Sequence, residues 1–225
     1  MTLNLLDLVL GFPAPVILAL MLNELANGLF KRVTQTILYL PHFISWVIIS
    51  GMVYQVFATN SGIINAFLSS IKLTKIPFLT VNGWWIFTYF IVGLWQTIGW
   101  SAIIYMAAIT AIDQEIYEAA RVDGCSRMRM MWRITLPCIS TTIVIMFILR
   151  IGQMAAIGFE KPLMLGNPTV YHVSDVLSTF VYRVGIVNSR FSVATAVGLF
   201  QSVINFFLVI GANELSKKLT GDSVW

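Results

Sequence analysis

Charge is scarce in this sequence. Of 225 residues, 14 are Lys or Arg and 10 are Asp or Glu, 11% in all. A soluble domain of this length would carry about a quarter charged residues. With 58% hydrophobic residues and a mean hydropathy of +0.83, the chain has too few polar side chains to cover its apolar ones in water. The bilayer is then its solvent, and long apolar runs make the expected fold class an all-α polytopic membrane protein.

Other absences narrow the function. The two cysteines, Cys125 and Cys138, have no metal-ligand company and fall on the side assigned below to the cytoplasm, so they read as small apolar packers. No metal site is expected. His42 and His172 lack a Ser, Asp or second His at a supportive spacing, which leaves a proton relay or protease without partners. No Gly-x-x-x-x-Gly-Lys-Ser/Thr loop is present to cradle a nucleotide. The basic residues sit at segment ends, so no nucleic-acid patch forms. No solenoid repeat and no inverted pair of broken helices is visible.

What is there is a series of apolar runs. Spans are expected over about 3–22, 37–57, 84–108, 138–159 and 191–211, each near the twenty residues a crossing helix needs. Pro13 and Pro15 lie inside the first, and Pro41 fits the opening turn of the second. A short polar connection over 23–36 separates these two. The loop over 58–82 holds Ile63, Ile64, Phe67, Leu68 and Ile71 at helical spacing, with Asn65, Ser69, Ser70 and Lys72 opposite, the pattern of an amphipathic interface helix. A second long loop spans 160–190, with a short helix expected within 173–184. Lys31, Arg32, Arg121, Arg127, Arg129, Arg133, Lys217 and Lys218 fall on one side, against Lys72, Lys75, Lys161, Arg183 and Arg190 on the other. This bias places 112–137 and the C-terminus in the cytoplasm and makes 58–82 and 160–190 outer loops. Five spans then put the N-terminus outside.

The segment over 112–137 is the only long polar stretch between strongly apolar ones. Asp113, Glu115 and Glu118 suit the first turn of a helix. Asp123-Gly124 then stops it, Gly124 being able to take the left-handed conformation of a C-cap. Ser126 can cap a second helix, and Pro137 opens the next membrane segment. A helix–Gly turn–helix elbow against the membrane face is predicted. Its residues Glu118, Ala119, Ala120, Gly124, Ile134, Leu136 and Pro137 fill each position of the EAA loop of bacterial ABC-importer permeases, Glu-Ala-Ala-x3-Gly-x9-Ile-x-Leu-Pro. Further stretches, among them Tyr39-Leu-Pro-His-Phe-Ile-Ser-Trp, Val181-Tyr-Arg-Val-Gly and Ala194-Thr-Ala-Val-Gly-Leu-Phe, resemble the LplB-like polysaccharide and oligosaccharide branch of type I importers.

That resemblance covers essentially the whole chain. It implies six spans, with a cytoplasmic N-terminus and one further span ahead of Leu3, so this chain reads as a truncated or late-started version. It implies a bacterial inner-membrane subunit with no catalytic residues and no cofactor of its own. ATP and Mg²⁺ would be bound by two copies of a separate ATPase. The other implied partners are a second homologous permease, an extracytoplasmic solute-binding protein, the saccharide and membrane lipid. A same-fold permease for a peptide or amino acid, or an ion-coupled carrier, is the alternative.

Candidate path residues are Trp95, Gln96 and Trp100 in the third span, Arg150 and Gln153 in the fourth, and Gln201 and Asn205, one turn apart, in the last. Arg150 lies about 18 Å into its span, where an arginine costs about 2.5–3.5 kcal/mol and must face water or a partner. It has two readings: a ligand for a sugar or its carboxylate, or a structural pair with a carboxylate or helix carbonyls of the partner permease. Packing and interhelical hydrogen bonding are the competing roles for the others.

Overall fold

The computed structural model describes residues 2–25, 28–152 and 158–220, and every regular element among them is helical. Helix α1 (Thr2–Leu6), a wide π turn (Asp7–Gly11) and α2 (Pro13–Asn23) form one apolar helix from Leu3 to Asn23. Pro13 and Pro15 sit directly after the wide turn. Neither ring nitrogen can donate to the carbonyl one turn earlier, and each ring crowds that carbonyl, so the ladder widens there.

Helix α3 (Gly28–Tyr39) ends in a 3-10 turn (Leu40–Phe43), and α4 (Trp46–Phe57) leaves at 101° to it. Two expectations are corrected here. The stretch 23–36 is largely helix, and the run over 37–57 is broken rather than continuous. Pro41 tightens the end of α3 instead of opening a helix, and Ile44 and Ser45 turn extended, with ψ of 127° and 151°. Hydropathy is blind to this break because its residues are as apolar as the helices around it.

Helix α5 (Ile63–Ser70) lies in the following loop. Asn65, expected on its polar outer face, is instead fully buried. Its amide donates to the Ala58 and Ile76 carbonyls at 3.2 and 2.8 Å and accepts from the Ile76 N–H at 2.8 Å. Ile63 and Phe67 point outward, both exposed.

Helix α6 (Asn82–Thr110) is the central post, and a core surrounds each of its halves. Around Trp85, Tyr89 and Val92 pack Ile49 and Val53 of α4, Phe78, Leu79, Leu165 and Val170. Trp85 Nε1 donates to the Leu165 carbonyl at 2.8 Å, and Asn167 reaches back to the Leu79 carbonyl at 2.8 Å. Around Ala102, Tyr105, Met106 and Ile109 pack Val16, Ala19, Leu20 and Leu22 of α2, with Ile139. Between the two cores α3 ends against Gly99, where a Cβ would collide with the Leu38 backbone. Only glycine permits that approach.

Next come α7 (Gln114–Val122), α8 (Arg127–Met130), a second π turn (Met131–Thr135) and α9 (Leu136–Cys138). Helix α10 (Ser140–Gly152) departs at 61°, so the helix expected from 138 begins beyond a bend at Ile139. The loop over 160–190 carries α11 (Glu160–Leu165), α12 (Tyr171–Ser174) and α13 (Leu177–Tyr182), the last prolonged by a π turn (Arg183–Val187). Helix α14 (Phe191–Thr220) packs on α10 and α13, yet only 6% of its apolar window is buried.

Candidate functional site

The elbow is built by two stops. Asp113 caps α7, its carboxylate accepting from the Glu115 N–H at 3.0 Å. At the other end Gly124 has φ +71°, the Gly124 N–H reaches the Arg121 carbonyl at 3.0 Å and the Cys125 N–H reaches Ala120 at 2.9 Å. This is a Schellman motif, and it satisfies carbonyls that an abrupt helix end would leave orphaned. Ser126 occupies the N-cap position of α8 with extended dihedrals, but its side chain makes no capping bond. Pro137 sits just past the Met131–Thr135 turn and produces there the same widening that Pro13 and Pro15 produce in the first helix.

The Tyr117 hydroxyl meets the buried Thr135 hydroxyl at 2.9 Å, tying the first arm of the elbow to the second. Glu118 and Ala119 are exposed, Ala120, Ile134 and Leu136 are half-buried, and Pro137 is exposed. The elbow therefore turns Glu118, Ala119 and the 88%-exposed Val122 outward, while Tyr117, Thr135 and Met130 face the bundle. Ala at position 119 keeps that outer surface low, and Glu118 sets one negative charge on it.

The expected path residues separate into distinct environments. Gln96 is buried, and its Nε2 donates at 3.3 Å to the Ile44 carbonyl left free by the break between α3 and α4. Trp100 stacks on His42, ring centroids 4.6 Å apart and planes 2° from parallel, with Phe43 edge-on to both. This gives His42 a packing role. Trp95 is exposed on the outside of α6, and Gln201 and Asn205 are half-buried on α14. Gln153 lies outside the described residues. Arg150 pairs with Asp7 of the first helix, 143 residues away in sequence. Of the two readings of Arg150, the structural pair is the one seen, and its carboxylate belongs to this chain rather than to a partner permease. Membrane-embedded ions pair with one another, so the lone acid of the first span was the available sign.

Asp7 and Arg150 border a cavity of about 350 Å³ beside α6, together with Trp46, Tyr89, Gln96 and Lys161. Lys161 had counted only as an outer-loop cation. In the structure its ammonium reaches 3.7 Å from the Tyr89 ring centroid and 5.6 Å from that of Trp46. On the same loop Arg183 donates to Asp175 at 2.8 Å and also to the Tyr171 hydroxyl. Hydrogen bonding to Asp175 holds the Arg183 guanidinium above its ordinary pKa.

Comparison with known proteins matches this frame. The family described as binding-protein-dependent transport system inner membrane component covers residues 11–221. Protein LplB of Bacillus subtilis (strain 168) is 41% identical over 98% of this chain and 69% of its own length. The polygalacturonan/rhamnogalacturonan transport system permease protein YteP of the same organism is 42% identical over 98% of this chain and 68% of its own. A chain from the crystal structure of a bacterial alginate ABC transporter, in complex with its alginate pentasaccharide-bound periplasmic protein, superposes with a TM-score of 0.94. It is 42% identical, and the match covers 99% of this chain and 77% of that one. With the helical elbow, the apolar helices and these likenesses together, the chain belongs to the family of binding-protein-dependent transport system inner membrane components.

Proposed function

We propose that this chain is one permease of a heterodimeric, ATP-driven importer for oligo- or polysaccharides. A solute-binding protein delivers the saccharide from outside. Two copies of a separate cytoplasmic ATPase bind ATP and Mg²⁺, and this chain carries out no bond chemistry. The elbow is its coupling element: Glu118, Ala119 and Ala120 dock on the ATPase, Gly124 sets the turn, and Ile134, Leu136 and Pro137 join the turn to α10. Nucleotide-driven closure of the ATPases displaces α7, and the bundle alternates between inward- and outward-facing states. The C-terminus lies in the cytoplasm with the elbow.

The observation that carries this reading is the outward-facing surface of α7, rigidly stopped at Gly124 and tied to the second arm through Tyr117 and Thr135. A lever must transmit displacement without bending, and these two contacts remove its freedom to bend. Similarity to a permease for polygalacturonan and to one for alginate supports a saccharide as cargo.

The test is ATP-driven uptake by the reconstituted complex against a panel of saccharides, a peptide and an amino acid. Saccharide uptake that requires both ATP and the binding protein is the expected result. Uptake of only the peptide or amino acid would replace the cargo. Transport by this chain without any ATPase subunit would sink the importer reading.

A further inference from the structure

The cavity beside α6 has a charge imbalance that the fold does not need. Asp7 cancels Arg150. Lys161 forms no ion pair among the described residues, and burial, with Arg150 nearby, pushes its pKa down to about 7, so its ammonium lacks the counter-ion that would stabilise it. Its ammonium rests against the faces of Tyr89 and Trp46. Such contacts are attractive but do not neutralise a cation withdrawn from bulk water.

The backbone is shaped to hold the ammonium in this place. At Gly93 of α6 a Cβ would fall on the Lys161 Nζ and crowd its Cε. Glycine is a poorer helix former than alanine, and here its missing side chain is the space the ammonium fills. Polar groups flank the charge. Gln96 spends an N–H on the Ile44 carbonyl, which leaves its amide oxygen as an acceptor. Thr97 donates its hydroxyl proton to the Gly93 carbonyl, which leaves that oxygen's lone pairs. At about 350 Å³ the space is within the range of small-ligand pockets. An ammonium without a counter-ion, hydroxyl acceptors and the half-buried ring of Trp46 are complementary to a carboxylated sugar, which brings an anion, hydroxyl donors and an apolar C–H face.

We propose that this cavity is a subsite for the carboxylate of an acidic sugar residue, with Lys161 as its binding cation and Gly93 as the residue that positions it. The assignment rests on the saccharide-importer reading and narrows its cargo to uronate-containing chains. Arg150, neutralised by Asp7, shapes the wall and supplies no free charge.

The experiment measures ATP-driven uptake of a galacturonate trisaccharide and of its methyl ester, by liposomes holding the full transporter. The readout is the ratio of acid to ester uptake. Lys161→Met removes the charge at similar volume, and its ratio is expected to fall about tenfold, the effect of losing about 1.4 kcal/mol of ionic interaction. Gly93→Ala keeps the charge but displaces it, and its ratio should fall in the same direction. The second variant decides the matter if Lys161→Met fails to assemble. Ratios within about twofold of the unaltered complex in the assembled variants would overturn the subsite, as would an equal loss of both sugars. Uptake of neither sugar by the unaltered complex, with uptake of a neutral saccharide intact, would remove the subsite and leave the importer reading standing. Failure to move any saccharide would overturn both.

Discussion

The hydroxyls of Tyr117 and Thr135 meet at 2.9 Å across the two arms of the elbow, one from α7 and one from the wide turn that precedes Pro137. They are 18 residues apart and otherwise belong to separate helices. The contact sets the angle between the outward-facing surface of α7 and the helix that enters the bundle.

Tyr117→Phe removes that hydrogen bond and nothing else. The fold should lose only about 1 kcal/mol, yet the elbow loses its brace. Transport per ATP hydrolysed is expected to drop while membrane yield stays normal. Thr135→Val should do the same, and the double variant should be no worse than either single one, because the two act through one bond. Additive losses in the transport-to-ATPase ratio would assign the residues independent roles.

Gly124 holds φ +71° in open surroundings, so a side chain there meets strain and no clash. Gly124→Val should cost about 1–2 kcal/mol locally and loosen the stop of α7. Glu118→Lys inverts a charge on the exposed face of α7. Both variants are expected to insert normally and to uncouple transport from ATP hydrolysis. Co-purification of the ATPase should weaken for Glu118→Lys alone. Normal uptake in both would refute the lever.

Asn65 makes three hydrogen bonds from a fully buried position. Asn65→Leu strands the Ile76 N–H, at about 1–3 kcal/mol, and takes one donor each from the Ala58 and Ile76 carbonyls, which keep the Gly62 and Phe78 N–H groups. Limited proteolysis should then cut within 58–82 well before the rest of the chain. Unchanged protection of that loop would show that other contacts hold it.

Gly99 and Gly51 form a matched pair of helix glycines. A Cβ at Gly99 collides with the Leu38 backbone, whereas one at Gly51 meets nothing within 4 Å. Gly99→Ala should lower the thermal midpoint of the purified complex, by roughly 1–3 kcal/mol of overpacking or more. Gly51→Ala should leave it unchanged or raise it slightly, since alanine is the better helix former. Equal effects at both positions would mean that α3 can shift to make room.

Much of this structure was legible because one signal, hydropathy, governs most of it. The long apolar helices appear where the runs are, and the Gly124 stop follows from the spacing of Asp123-Gly124 alone. The signal fails where irregular backbone is itself apolar. Leu40-Pro-His-Phe-Ile-Ser reads as the entrance to a span, yet it is the corner between α3 and α4, stabilised by Gln96 from a helix distant in sequence. Asn65 misled for the opposite reason. A polar residue at a helical spacing reads as surface until its partners, Ala58 and Ile76, are seen closing around it. Asp7 and Lys161 were visible as charges, but only tertiary contact shows that Asp7 is paired and that Lys161 has no ion-pair partner among the described residues.

Helix α14 carries a different message. With 6% of its apolar window covered by its own chain, it displays Leu199, Phe200, Phe206 and Phe207 to whatever surrounds it. A freshly made copy must therefore park this helix in lipid until another surface takes it up. Copies that find none remain recognisable to membrane quality control by that bare flank. Under the heterodimer reading proposed above, the cellular amount of this protein should then follow the supply of the second permease rather than its own rate of synthesis.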